Sequence, residues 1–370
     1  MVKLCLAIKW INIRWSILFI LSLEKIFCVS SIKPIYIQNT IMPFKEKVDV
    51  KETNVYEHNP KILEILLCDR TKSRKNKIQN IIWATDNYFS TNWYSFFDEM
   101  TIDMIIWLNW NVIRPRTKKS KAEQQKRIKE KAEVFTPAWM CNFQNNLLDY
   151  SRFWYSWVFN VEQWESWCVV KDKIDFPKWK TWKDYVKEKR LEISCWEAPY
   201  LVSRYDATTW EILNVNDRIW LLDRKYRVLN ENVKTEKIRF ERAKEAHKSI
   251  YWYEWQWDSL LIARENILYT FIDNYKYKFR KEPSIEKIIE IAEIISRNIW
   301  QMDWIRWVIP CSCINKIEMD NSLFWDGKVK KDCCPWCIKW TYNHNWIKCK
   351  IKNRDTDKVF YFSSLFPQKN

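Results

Sequence analysis

The sequence predicts an α/β fold, in which helices flank a largely parallel sheet. Between residues 134 and 310, short apolar runs such as LEIS (191–194) and RIWLLD (218–223) alternate with longer segments. In two of the longer segments, 259–279 and 284–300, apolar residues recur every three or four positions, which is the period of a helix. Strands that alternate with helices are typical of βαβ units and therefore of a parallel sheet.

The composition is unusual in two residue types. Among 370 residues the chain has 26 Trp and a single glycine, Gly327, whereas average usage of about 7% would give roughly 26 glycines. Glycine supplies the positive φ angles of turns and helix ends, so a globular chain of this size needs it. One interpretation is an AT-rich genome whose proteins use Asn and Asp at turns. The other, which the positions of the tryptophans favour, is a UGA codon that the source reads as glycine.

Charge and cysteine content favour a cytoplasmic protein with a polyanionic partner. The net charge is +16, from 62 Lys and Arg against 46 Asp and Glu, and such an excess favours nucleic acid. AT-rich codon usage also raises the lysine count. The 12 cysteines are scattered except for a C-terminal cluster, which suits reduced thiols and a metal site better than secreted disulfides. The length suggests one large domain or two.

Residues 1–41 differ from the rest of the chain. The stretch WSILFILSL (15–23) is apolar but shorter than the about 20 residues that span a bilayer. It has the character of a signal-type segment. Alternatively, Met42 is the true start and the upstream residues are a mis-called extension. We favour the second interpretation because the following residues look cytoplasmic, and we expect no membrane partner.

Residues 42–131 are predicted to form a basic N-terminal α+β region. KILEILLC (61–68) has helical spacing, and NIIWATDNYF (80–89) has the pattern of a short buried strand running into a turn. The stretch 114–133 is strongly basic and helical in pattern. Such a run is either the solvated face of a helix or a set of contacts to DNA phosphates. The candidate DNA contacts are Lys118, Lys119, Lys121, Arg127 and Lys129.

The predicted core, residues 132–310, contains two stretches that surround a tight turn. In AEVFTPAWMCNFQNNLLD (132–149), Thr136 and Pro137 end an extended segment before a helix. LEISCWEAPYLVSRYD (191–206) then gives a strand, a tight turn and a helix start. If position 196 is glycine, the backbone of that turn can approach a ligand closely. The same recoding hypothesis assigns glycine to positions 252 and 257 in YWYEWQWDSL (251–260) and a true tryptophan to position 255.

Two aspartates follow the turn along the chain. RIWLLDRKYRVL (218–229) is predicted to be a strand that ends near Asp223, and WDSLL (257–261) places Asp258 between a strand and a helix. Each has a purely structural interpretation, because Asp223 can pair with a neighbouring arginine and Asp258 can cap a helix. Their functional interpretation is that both bind a ligand at the ends of strands.

With glycine at position 196, the sequence Cys-Gly-Glu-Ala-Pro-Tyr-Leu resembles the first motif of class I, Rossmann-type S-adenosylmethionine-dependent methyltransferases. The Thr-Pro element before this strand resembles the Thr-Pro element that precedes the cofactor strand in adenine-specific DNA methyltransferases. The resemblance implies that Asp223 binds the ribose hydroxyls of the cofactor and that Asp258 binds its adenine amino group. The resemblance also implies that the methionine end of the cofactor lies against the turn formed by Ser194, Cys195, Trp196, Glu197 and Ala198. Thr136 and Pro137 are expected to support this turn.

A longer stretch, from about residue 60 to 350, resembles the modification (M) subunits of restriction–modification systems. The phrases that carry this resemblance are NIIWATDNY, KAEVFTPAWMCNFQNNL, LEISCWEAPYLVSRYD, LLDRKYRVL, YEWQWDSLLIAREN and NIWQMDWIRWVIP. The resemblance implies double-stranded DNA as substrate, methylation of a base amino group, and a restriction or specificity subunit as partner.

One departure from this pattern leaves catalysis open. Amino-group DNA methyltransferases use an Asn/Asp-Pro-Pro-aromatic loop that binds the flipped base, and this chain has no Pro-Pro pair. The alternative is therefore a non-catalytic DNA-binding or specificity subunit that keeps a degenerate methyltransferase fold. A nuclease is not supported, because no Asp…Glu-x-Lys cluster lies next to a predicted strand.

Residues 311–370 are predicted to form a small zinc-binding module. Cys334, Cys337, His344 and Cys349 have the spacing of a zinc knuckle or ribbon, and four such ligands suit tetrahedral Zn²⁺ in a structural site. The alternative is an incidental cysteine-rich tail in a reducing cell.

Overall fold

The computed structural model describes eleven ranges of the chain and comprises α-helices and several small β-sheets. The described ranges are 51–73, 77–85, 87–131, 133–193, 200–202, 204–206, 208–209, 211–303, 305–313, 346–353 and 356–365. The helices of these ranges are α1 (Glu52–His58), α2 (Pro60–Leu67), α3 (Phe89–Asn92), α4 (Lys121–Lys131), α5 (Ala138–Phe153), α6 (Trp182–Lys187), α7 (Leu221–Asn232), α8 (Glu236–Lys248), α9 (Trp257–Phe279) and α10 (Ile285–Asn298). The strands are β1 (Asn160–Gln163), β2 (Ser166–Val169), β3 (Arg190–Ile193), β4 (Ile250–Glu254), β5 (Ile299–Gln301), β6 (Val308–Cys313), β7 (Trp346–Lys348), β8 (Lys350–Lys352) and β9 (Val359–Tyr361).

A parallel sheet of three strands, in the order β3-β4-β5, lies at the centre of the fold. Arg190 pairs with Ile250, and Trp252 pairs with Ile299. Helices α7 and α8 connect β3 to β4, and α9 and α10 connect β4 to β5. The strands are buried, as parallel strands covered by crossover helices generally are. The expectation of an α/β protein with parallel strands is therefore confirmed at the level of fold class.

Several predicted elements are present with small shifts in their bounds. Helices occur at Pro60–Leu67, Trp257–Phe279 and Ile285–Asn298, and the strand before the tight turn is Arg190–Ile193. The stretch 80–89 forms isolated bridges at Asn80 and Ile82 instead of a continuous strand. A helix also begins directly after Pro137, as the Thr-Pro element predicts.

The prediction of a strand that ends near Asp223 is wrong, because residues 218–220 form no strand and helix α7 begins at Leu221. The buried residues Leu222, Tyr226, Leu229 and Val233 follow the spacing i, i+4, i+7, i+11, which places them on one face of a helix. The short apolar run that ends at Leu222 therefore reflects one turn of this buried face.

One hydrophobic core joins the N-terminal region to the predicted core. Helix α2 packs against α10, and the buried cluster includes side chains from Val55 to Ile113 together with side chains from Phe153 to Ile299. Residues 51–131 therefore share their core with the parallel sheet. Among the described helices, none is long and apolar enough to cross a membrane. Residues 1–41 and Met42 lie outside the described ranges.

Tryptophan is concentrated at positions where the backbone is left-handed. In the described part of the chain, nine non-glycine residues have positive φ. Five of these nine are tryptophan, although tryptophan makes up only 26 of the 370 residues of the whole chain. Positive φ is disfavoured for a bulky side chain and is routine for glycine. Two of the five end helices α3 and α5, where glycine is common. The five are Trp93, Trp107, Trp154, Trp157 and Trp307, with φ between 49° and 65°.

Candidate functional site

The carboxyl ends of the three parallel strands lie on one edge of the sheet, which we call the carboxyl edge. Open α/β sheets bind their ligands at this edge. At the end of β5, the Gln301 amide donates to the carbonyl oxygens of Trp255 (2.9 Å) and Ile82 (3.0 Å). The same side chain accepts the N–H of Ile82 at 3.0 Å. The carboxyl edge is thus assembled from β5, the loop after β4 and the segment around residue 82.

Asp258 lies at the carboxyl edge, in the first turn of α9 and directly after β4. Lys119 Nζ is 3.0 Å from Asp258 Oδ2, and Arg127 contacts both carboxylate oxygens, at 2.9 and 3.1 Å. Burial opposes ionisation of Asp258, but Arg127 and Lys119 hold the pKa of its carboxyl well below the usual range. Asp258 is therefore an anion that the basic segment neutralises.

Arg127 also connects this aspartate to a second buried carboxylate. Its Nε donates to Glu133, whose side chain is 2% exposed. Because Lys119 and Arg127 point into the protein, they do not form part of a DNA-facing surface in this structure. The other three predicted DNA contacts, Lys118, Lys121 and Lys129, are exposed.

The Thr-Pro element lies beside the end of the tight turn that follows β3. Tyr200 Oη is 3.4 Å from Thr136 Oγ1, and the N–H of Ala138 donates to Asp206 at 3.2 Å. Pro137 precedes the first residue of α5. The structure thus brings Thr136 close to Tyr200, the first described residue after the predicted turn. The turn residues Ser194, Cys195, Trp196, Glu197 and Ala198 lie outside the described ranges.

Buried aromatic rings fill the space behind Asp258. The ring of Trp257 lies 4.2 Å from that of Trp83 and 5.3 Å from that of Tyr88, measured between centroids. The indole N–H groups of Trp252 and Trp257 are buried without a hydrogen-bond partner, as is that of Trp300. A buried donor without a partner costs about 1–3 kcal/mol, and buried indoles usually have one. Tryptophan is therefore a poor fit at 252 and 257, where the sequence hypothesis expects glycine.

Asp223 does not join Asp258 at the carboxyl edge. Arg218 donates to Asp273 at 2.7 Å, and its other terminal nitrogen lies 4.0 Å from Asp223, so Asp223 is close to Asp273. Asp273 and Asp258 are fifteen residues apart on α9, which corresponds to about 22 Å along a helix. The ribose and adenine of one cofactor are directly bonded. They cannot contact both aspartates, so the predicted shared cofactor site for Asp223 and Asp258 is wrong.

Two buried acids of the sheet were missed by sequence reasoning. Glu192 on β3 accepts the N–H of Leu201 at 3.1 Å. Burial raises the pKa of Glu192 to about 8, and Glu254 contributes to the rise. Glu254 accepts the N–H groups of Trp255 and Gln256 at the end of β4. The available signal was an acidic residue inside an otherwise apolar strand.

The predicted zinc site can be followed at only one ligand. Cys334, Cys337 and His344 lie outside the described ranges. Cys349 is buried beside Gln301, with its Sγ 3.9 Å from that residue's carbonyl oxygen, and burial raises the pKa of its thiol. Within the described ranges, no group of three or more metal-ligating side chains is present.

The fold and site define the class of this protein as α/β, with a parallel sheet and an ion cluster at the carboxyl edge. No protein-family model, curated protein or solved structure matches the chain.

Proposed function

We propose that this chain is an S-adenosylmethionine-dependent DNA methyltransferase-type subunit of a restriction–modification system, acting on the adenine amino group. The observation that carries the proposal is a chain of contacts along the carboxyl edge. Asp258 pairs with Arg127, Arg127 pairs with Glu133, and Thr136, three residues after Glu133, lies beside Tyr200. Motifs that are far apart in sequence are thus linked by contacts, and Asp258 lies after β4, at the edge of the sheet where an α/β fold binds its ligand.

The proposed roles follow from these positions. Bound S-adenosylmethionine supplies the methyl group. The turn over 194–199 lies under its methionine end, and Thr136 and Pro137 support that turn. Asp258 accepts the amino hydrogens of its adenine. Asp223 has no part in this site, because it lies on α7 close to Asp273, and Asp273 is about 22 Å from Asp258 along α9.

The residues fit the cofactor only in the glycine form of the chain. We expect an indole at 196 to collide with the methionine end, because the backbone of the turn has to approach it closely. Trp257 fills the edge against Trp83 and Tyr88. Glycine at these positions removes both indoles and leaves the aspartate in place. To bind the cofactor, the carboxylate of Asp258 also has to release Lys119 or Arg127 and accept a hydrogen bond from the adenine amino group instead.

Isothermal titration calorimetry with S-adenosylmethionine tests the proposal. The test protein has glycine at 196, 252 and 257, and the matched control has the single change Trp255→Gly, at the position we read as true tryptophan. We expect saturable binding to the triple variant only. Asp258→Asn in the triple variant is expected to weaken binding about tenfold, since one charged hydrogen-bond acceptor is lost.

Circular dichroism establishes whether each variant is folded before the titration. A folded triple variant that does not bind S-adenosylmethionine contradicts the methyltransferase proposal. Binding that is unchanged by Asp258→Asn removes Asp258 from the site.

Double-stranded DNA is the proposed macromolecular substrate, and a restriction or specificity subunit is the proposed partner. The remaining candidates for phosphate contact are the exposed Lys118, Lys121 and Lys129. Binding that depends on phosphate contacts weakens steeply with salt, so reversing the charges of Lys121 and Lys129 on α4 is expected to lower the salt dependence of DNA binding. A structural Zn²⁺ in the C-terminal module stays a proposal, tested by metal analysis of the purified chain before and after Cys334→Ser.

A second candidate function is a non-catalytic DNA-binding subunit. Two observations favour it: the sequence has no Pro-Pro loop, and Asp258 is already neutralised by Lys119 and Arg127. DNA binding by a glycine-form protein that does not bind S-adenosylmethionine supports this second function.

A further inference from the structure

A cavity of about 540 Å³ lies beside α7, away from Asp258. Its wall combines the β1–β2 hairpin, the loop at 215–218, helix α7 and the C-terminal part of α9. Small-molecule sites usually measure about 300–1,000 Å³. The cavity is therefore large enough for a sugar or a nucleoside, and much larger than a single water molecule needs.

Asp223 lines this cavity with an unusual deficit of hydrogen bonds. The residue is 4% exposed, and neither carboxylate oxygen has a partner at hydrogen-bond distance; the nearby side chain of Asn274, which also lines the cavity, only opposes the rise in the pKa of this carboxyl. The Nη1 of Arg218 also has none, and it stands 4.0 Å from Asp223 Oδ1. The other terminal nitrogen of Arg218 donates to Asp273 at 2.7 Å, which fixes the guanidinium in place.

The spacing between Arg218 and Asp223 identifies a chemical group. A distance of 4.0 Å is too long for an N–H···O bond, which spans about 2.7–3.2 Å. A hydroxyl group placed at the gap accepts from Arg218 and donates to Asp223, because it is both donor and acceptor. The second oxygen of Asp223 remains available for a neighbouring hydroxyl. A pair of adjacent hydroxyls therefore satisfies all three atoms.

The arginines of the remaining wall are already paired. Arg224 is paired with Asp149, and Arg227 is paired with Glu231 at 3.0 Å, so neither guanidinium is left as an uncompensated charge. Of the two lysines in the wall, Lys171 and Lys278, the second donates to the carbonyl oxygen of Asn230 at 2.8 Å. Phe159 and Tyr277 add aromatic surface to the wall. Polar groups that fix orientation within a partly apolar wall are typical of small-molecule sites.

We propose that this cavity binds the hydroxyl pair of a sugar, either a free sugar or the ribose of a nucleoside. Asp223 accepts hydrogen bonds from two adjacent hydroxyls, and Arg218 donates to one of them. The site does not depend on the proposed methyltransferase function, because Asp258 lies about 22 Å away along α9, measured from Asp273.

Calorimetric titration of the full chain with adenosine, D-ribose and 2′,3′-dideoxyadenosine tests the proposal. We expect adenosine or D-ribose to bind, and dideoxyadenosine to bind at least about tenfold more weakly than adenosine, because the buried carboxylate then stays unpaired. Binding of D-ribose within a few-fold of adenosine identifies a free-sugar site, whereas binding of adenosine alone identifies a nucleoside site. The dideoxy comparison leaves the protein unchanged, so it does not depend on how a variant folds.

Two variants assign the binding to this cavity. Asp223→Asn is expected to weaken adenosine or ribose binding by about the same tenfold factor, and Lys126→Ala, on the exposed side of α4, is expected to leave it unchanged. The proposal is overturned if neither probe binds, if dideoxyadenosine binds as well as adenosine, or if Asp223→Asn has no effect. If the sugar probes fail to bind, the S-adenosylmethionine proposal is not affected. If S-adenosylmethionine fails to bind, the sugar proposal is not affected.

Discussion

Arg127 and Asp258, which are 131 residues apart in sequence, form a two-point ion pair at the carboxyl edge of the sheet. Arg127 Nη1 is 2.9 Å from Asp258 Oδ2, and Nη2 donates to Oδ1 at 3.1 Å. Both side chains are largely removed from solvent, at 11% and 1% exposure. The pair attaches the basic helix α4 to the start of α9, so the stability of this edge depends on it.

Arg127→Ala is therefore expected to destabilise the protein. It leaves Asp258 and Glu133 buried with less compensation, and removing one partner of a buried ion pair typically costs about 3–5 kcal/mol. Urea denaturation measures the change in the free energy of unfolding. The matched control is Lys126→Ala on the exposed side of α4, for which we expect a change within about 0.5 kcal/mol. Equal effects of the two substitutions would show that the ion pair is not a major contributor.

Trp154→Gly is expected to stabilise the protein by about 1 kcal/mol, because the left-handed conformation costs roughly 1–2 kcal/mol for a residue with a Cβ. Trp154 ends α5 with φ 65° and is 72% exposed, so little packing is lost. Trp179 is 67% exposed and is not among the residues with positive φ, so Trp179→Gly serves as the control and is expected to give no gain. Thermal unfolding of both variants compares them directly. A stabilisation of the same size at Trp179 contradicts the conformational explanation.

Mass spectrometry of peptides from the native source tests the recoding hypothesis directly. We expect glycine at 93, 107, 154, 157 and 307, where φ is positive. We expect true tryptophan at Trp167, because its indole N–H donates to the carbonyl oxygen of Asp217 at 3.0 Å. Tryptophan at all six positions rules out recoding at these sites.

Asp223→Asn is expected to change how stability depends on pH. Burial raises the pKa of Asp223 to about 7, against an opposing effect of Arg218, so the folded state binds a proton that the unfolded state releases near pH 4. The free energy of unfolding therefore falls as pH rises from about 4 to about 7, by up to about 4 kcal/mol for this group. In the Asp223→Asn variant this pH-dependent loss of stability is absent, because the Asn side chain does not ionise. Denaturation at pH 4 and pH 8 should show the variant gaining stability over the parent only at pH 8; an equal difference at both pH values contradicts the pKa shift.

The sequence by itself determined the helices with strong periodicity and the strand–turn–helix segments. The apolar spacing in 259–279 and 284–300 predicts α9 and α10 closely, and Thr136-Pro137 marks the start of α5. The excess of tryptophan over glycine predicts that some tryptophans occupy turn positions. These features are local, so the order of neighbouring residues is enough to reveal them.

Only the tertiary structure decided which charged residues meet. Asp223 and Asp258 look equivalent in sequence, yet Asp258 meets Lys119 and Arg127 at the carboxyl edge while Asp223 faces a separate cavity. The short apolar run at 218–223 was compatible with a strand. Its second half belongs to helix α7, because Leu222 packs in the core together with later residues on the same helix face. Pairing across more than a hundred residues depends on how helices cross the sheet, and local spacing carries no record of that geometry.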